Sequence, residues 1–173
     1  MSAPAVALCI FMLKVAVVTL DHDAFQVFQI IPSAAEPSFS DEENVKSVYY
    51  PEVEKLILEK VPGAHRVFIF DHTIRRTHPG AERAPVFRAH IDQTPAVAVE
   101  RVGHYLPEEA EQSLSAHYRI TNVWRALNEL VQVTPLTFAA ATSVRDEDIV
   151  GIEHRQPNWT GETAGFKHKE SQQ

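Results

Sequence analysis

In the stretch Ala84-Pro85-Val86-Phe87-Arg88-Ala89-His90-Ile91-Asp92-Gln93-Thr94-Pro95 a β-strand runs into a turn, and a His-x-Asp pair sits at its end. This pair constrains the fold, because it is useful only on extended backbone. In a strand, side chains two apart point to the same face, so His90 and Asp92 can converge on one metal ion. A neutral imidazole and a carboxylate are two of the three ligands of the facial triad that holds non-haem Fe(II). The bland alternative for the same triplet is a solvated pair or a capped turn; the strand before it and the Thr94-Pro95 turn after it favour the metal.

The chain has 173 residues, enough for a single domain (1–173) with a real core. Its formal net charge of −7 argues against a nucleic-acid binder, which needs a basic face. Cys9 is the sole cysteine, which excludes an intrachain disulfide and a thiolate zinc site and suits a reducing, cytoplasmic setting. The N-terminal 1–19 segment is atypically apolar. Its run is interrupted by Lys14, lacks a preceding positive charge, and is short for a membrane span, so neither a signal peptide nor an anchor is expected.

Residues 21–31 alternate loosely and suggest a strand. Residues 50–61 repeat Val53, Leu56, Ile57 and Val61 at helical spacing, and Pro62-Gly63 ends the helix. Val67-Phe68-Ile69-Phe70 reads as a buried strand, and residues 77–85 as a surface loop. Residues 107–117 open with Pro and two acids, a helix start. Residues 119–124 and 136–141 read as strands, and 158–173 as a polar tail that frays. The fold class expected from this order is mainly β with short helices, an incomplete double-stranded β-helix (jelly-roll) core.

Two further clusters are candidates for binding. Asp71, His72, Arg75 and Arg76 follow the 67–70 strand and suit a substrate carrying a carboxylate or phosphate; a solvated turn is the plainer account. Arg119 and Arg125 flank a strand from which either can reach an anionic cosubstrate; long side chains lying across apolar neighbours are the alternative. No glycine-rich phosphate loop, nucleophile elbow or cysteine pair is present. Asn158-Trp159-Thr160 fits the glycosylation pattern, which carries meaning only in a secreted protein.

Several segments occur together in order. They are Val48-Tyr49-Tyr50-Pro51-Glu52-Val53-Glu54, then Gly63-Ala64-His65-Arg66-Val67-Phe68-Ile69-Phe70-Asp71-His72-Thr73-Ile74-Arg75-Arg76, then the His-x-Asp strand, then Ile120-Thr121-Asn122-Val123-Trp124-Arg125. This order resembles the fungal asaB-type hydroxylase/desaturase family, related to CmcJ-like and gibberellin desaturase-like proteins, over about residues 20–165. The resemblance implies an oxidoreductase that uses Fe(II) and 2-oxoglutarate to hydroxylate or desaturate a small molecule of fungal secondary metabolism. It carries His90 and Asp92 onto the iron ligands, and matches Arg75, Arg76, Arg119 and Arg125 without giving them individual roles.

The chain also departs from that family. Members continue past the segment matched by Gly161-Glu162-Thr163 to a later histidine and arginine, whereas this sequence ends at Gln173. The third iron ligand is therefore not found, with His168 a possible substitute, and an open sheet edge would offer self-association. The rival expectation is a catalytically inert truncated relative that binds a metabolite or pairs with a full-length oxygenase.

Overall fold

Asp41 begins the longest helical stretch among the described residues. Its carboxylate accepts hydrogen bonds from the amides of Glu43 and Asn44 at 3.0 and 3.2 Å, the usual work of an N-cap aspartate. The helix then runs without interruption through α2 (Glu42–Asn44), a π-helical turn (Val45–Tyr49) and α3 (Tyr50–Lys60); a four-residue turn, α1 (Leu20–Asp23), precedes it. The expected helix over 50–61 is therefore present and starts nine residues earlier, at its acidic cap. It stops where Pro62-Gly63 predicts, with Gly63 at φ 78°, a left-handed conformation that favours glycine. The computed structural model describes residues 18–29, 31–127, 134–157 and 159–167. Most of the apolar N-terminal run, Cys9, Asn158 and His168 lie outside the described residues.

The π turn swings Val45, Tyr49 and Tyr50 inward. Val45, Phe39 and Ala35 form a small buried cluster against which Val48, Tyr49, Tyr50, Ile74 and Leu127 pack. Phe39 meets Tyr49 edge to face at 4.9 Å, the arrangement that aromatic quadrupoles favour.

Two further helices follow the His-x-Asp segment. Thr94 caps α4 (Pro95–Tyr105) by accepting the Val97 amide, and Pro95 takes the first helical position, where its missing N–H costs nothing. Val97 and Ala98 are buried on its inner stripe. A 3₁₀ turn (Pro107–Glu109) leads into α5 (Ala110–Ser115), which matches the helix expected over 107–117. No helix among the described residues is long and apolar enough to cross a membrane.

The strands differ from expectation. β1 (Ile149–Gln156) and β2 (Trp159–Phe166) pair antiparallel, Ile149 opposite Phe166 and Gln156 opposite Trp159. The polar tail expected to fray from residue 158 is thus a paired strand through Phe166, because its backbone groups are satisfied by β1. Residues 24–29, 67–70, 119–124 and 136–141 are not strands: they run extended or irregular and join no ladder among the described residues. The expected buried strand at 67–70 leaves Phe68 46% exposed and lays its aromatics on α4. The described residues therefore show short helices and one hairpin, and the jelly-roll core is not among them.

Candidate metal centre

One backbone contact ties the His-x-Asp segment to the hairpin. Ile91 and Ala164 exchange N–H···O=C hydrogen bonds, each 2.8 Å, as an isolated antiparallel bridge. A residue in such a bridge is extended, so its two neighbours leave the opposite face together. The strand expected to end at the His-x-Asp pair is not formed: pairing is confined to this one bridge at Ile91, because the residues before it find no partner strand among the described residues.

The two side chains converge. His90 Nε2 lies 3.2 Å from Asp92 Oδ1, with the imidazole 28% and the carboxylate 42% exposed. His90 Nδ1 lies 2.8 Å from the carbonyl oxygen of Arg88. A carbonyl only accepts, so Nδ1 carries a hydrogen and Nε2 is the ring atom that faces the carboxylate. A contact at that range suits either a proton shared from Nε2 to the carboxylate or a metal ion held by both atoms.

The donor set fits a metal. An imidazole nitrogen and a carboxylate oxygen suit first-row divalent ions, and 3.2 Å is close to the ~3 Å separation of adjacent ligands with bonds of about 2.1 Å. The surrounding hydrogen bonds are those that orient such ligands. The Arg88 carbonyl fixes the imidazole tautomer, and the Asn122 side-chain amide donates to Asp92 Oδ2, leaving Oδ1 turned to His90. Among the described residues no third His, Cys, Asp or Glu joins the pair.

Asn122 is a residue that the sequence reading passed over. It lies within the Ile120-Thr121-Asn122-Val123-Trp124-Arg125 segment, but its partner is 30 residues away, and no local spacing signals the contact. On the hairpin, His154 Nε2 lies 2.8 Å from Thr163 Oγ1 on the neighbouring strand.

The remaining candidates line the same broad concavity as His90 and Asp92 but hold other partners. His72 bridges Tyr50, whose hydroxyl is 2.8 Å from Nδ1, and Glu42, whose carboxylate is 3.1 Å from Nε2. Burial pushes the Tyr50 phenol above its ordinary pKa. Arg75 donates to the Ala84 carbonyl at 2.9 Å and Arg76 to the Ser38 carbonyl, so both secure the 77–85 loop and its surroundings. Asp71 is exposed beside them. Arg119 pairs with Asp21 at 2.6 Å. Arg125 donates to the Ile31 carbonyl at 2.8 Å and stands over the ring of Tyr49, whose phenol burial also raises.

Comparison with known proteins places the chain among oxidoreductases. A family model described as an oxidoreductase/YMDC permease-like domain matches residues 12–173. The hydroxylase/desaturase poxK of Penicillium oxalicum is 39% identical over 138 residues, which cover 76% of this chain and 42% of poxK. The oxidoreductase AN1597 of Emericella nidulans is 34% identical over 152 residues, 81% of this chain and 50% of that protein. The alpha-ketoglutarate-dependent dioxygenase phiK of a fungal species is 33% identical over 148 residues, 80% of this chain and 52% of phiK. The chain thus matches about half the length of these relatives. No solved structure is significantly similar to it.

Proposed function

This chain belongs to the fungal hydroxylase/desaturase family of oxidoreductases, and we propose from that premise that it takes part in Fe(II)- and 2-oxoglutarate-dependent hydroxylation or desaturation of a small molecule of secondary metabolism. The observation that carries the reading is the pair His90 Nε2 and Asp92 Oδ1, held 3.2 Å apart with their outer atoms already engaged. Iron with a 2-oxo acid supplies, when bound, the oxidising chemistry that breaks an unactivated C–H bond.

The residues of this chain do the holding. His90 offers Nε2 because the Arg88 carbonyl occupies Nδ1. Asp92 offers Oδ1 because Asn122 occupies Oδ2. Both are kept on one face by the Ile91–Ala164 bridge, so neither needs to reorganise for a metal to enter. Asp71, His72, Arg75, Arg76, Arg119 and Arg125 remain proposed contacts to substrate or cosubstrate.

The test is an anaerobic titration of the purified chain with Fe(II) and 2-oxoglutarate, following the visible charge-transfer band. A saturable band that His90→Ala removes supports the reading. A folded sample with no band, or a band unchanged in His90→Ala, overturns it.

A further inference from the structure

On α4 the inner stripe runs Thr94, Val97, Ala98, Arg101, Val102, Tyr105, spaced as one face of a helix requires. Every other member is apolar, small or aromatic, and Arg101 places a full charge among them, half-buried. The other arginines whose contacts are described hold a carboxylate or a carbonyl. Arg66, Arg119, Arg145 and Arg155 pair with acids, and Arg75, Arg76 and Arg125 donate to backbone. Among the described residues Arg101 has no acidic partner; its one hydrogen bond runs from Nη1 to the Tyr105 hydroxyl at 3.2 Å.

Its surroundings are aromatic. The guanidinium carbon lies 5.7 Å from the centre of the Phe70 ring and 5.9 Å from that of Tyr105, and these rings stack on each other at 5.1 Å. Phe68, 46% exposed, continues the wall. Ring faces stabilise the charge and exclude water from it, but they give its N–H donors nothing to bond. A guanidinium is a planar fork matched to a carboxylate, and this one keeps most of its donors unspent beside the Phe70 and Tyr105 rings.

We propose that Arg101 anchors the carboxylate of a small organic acid, with Phe68, Phe70 and Tyr105 as the wall beside it. The identity of the acid rests on the functional reading above: it is either the 2-oxo acid cosubstrate or the substrate's own carboxylate.

The experiment titrates the metal-free full chain by calorimetry with 2-oxoglutarate and, separately, with 3-phenylpropionate, using 3-phenylpropionamide as the uncharged control. Wild type, Arg101→Gln and Arg101→Lys are compared after circular dichroism confirms folding. At least one acid binds wild type saturably, the amide does not, and Arg101→Gln weakens the acid by about tenfold or more, with Arg101→Lys between. Loss confined to 2-oxoglutarate names the cosubstrate; loss confined to phenylpropionate names the substrate. Where Arg101→Gln misfolds, Arg101→Lys decides, since it keeps the charge and loses the fork. Equal affinity in the folded variants, or no binding of either acid to wild type, overturns the proposal. The Asp92→Ala variant separates the two readings: it loses Fe(II) and keeps the Arg101-dependent binding.

Discussion

Asn122 donates its side-chain amide to Oδ2 of Asp92 from 30 residues further along the chain. The bond spends one oxygen of the carboxylate and aims the other at His90. Asn122→Ala is expected to lower Fe(II) affinity by about 10- to 100-fold, the usual cost of losing a residue that orients a ligand. A change of less than twofold in an anaerobic Fe(II) titration would show that Asp92 holds its orientation unaided.

His90→Ala and Asp92→Ala each remove one proposed ligand and are expected to abolish measurable Fe(II) binding. Both side chains are partly exposed and outside the buried cluster, so stability should move by no more than about 0.5 kcal/mol. Denaturant unfolding beside the metal titration checks both halves. Wild-type iron affinity in either variant would remove that residue from the site.

That His90 and Asp92 come together was legible in the sequence because it depends on one local rule, the period of two, which Ile91 satisfies at its bridge. The helix over 50–61 was legible for the same reason, its spacing being local. What escaped depends on partners distant in sequence. Val67-Phe68-Ile69-Phe70 announces an extended backbone, but whether a ladder forms is decided by another segment, and here α4 lies against it instead. Residues 159–166 read as a loose tail since they carry Gly161, Gly165, Thr160 and Thr163, yet pairing with β1 makes them a strand. α4 was missed where Thr94-Pro95 was taken for a turn alone, although the same two residues are a helix cap and first position.

Thr94→Ala tests that cap. The Thr94 side chain accepts the Val97 amide while the residue is 7% exposed, so its loss should cost about 1 kcal/mol. Thermal or denaturant unfolding measures it, and an unchanged midpoint would show that Pro95 and packing suffice to start the helix.

Acid should loosen the loop before α2. Glu36 accepts from the Ser38 hydroxyl at 2.7 Å, the Ser38 amide at 2.8 Å and the Ser40 amide at 3.1 Å. These bonds, the Ser38 hydroxyl foremost, hold its carboxyl below the usual range. A folded-state pKa depressed in this way contributes stability above the unfolded value of about 4.3 and loses it as pH falls through the lower folded one. Stability therefore rises with pH across that window, and Glu36→Gln should make the rise shallower. Denaturant midpoints taken between about pH 3 and 5 compare the two slopes; parallel slopes would show the loop contributes nothing to acid sensitivity.

The attachment at Ile91 has a mechanical consequence. A full ladder would clamp His90 and Asp92 at several points, whereas one bridge leaves them on a pivot whose other half is Ala164. Whatever shifts Ala164 tilts imidazole and carboxylate together, without touching either. Ile152 is placed to do so, since its side chain lies where a Cβ on Gly165 would have to go, 2.6 Å from Cδ1. The back of the hairpin is thus linked, through Ala164, to the orientation of the two side chains proposed to hold the metal.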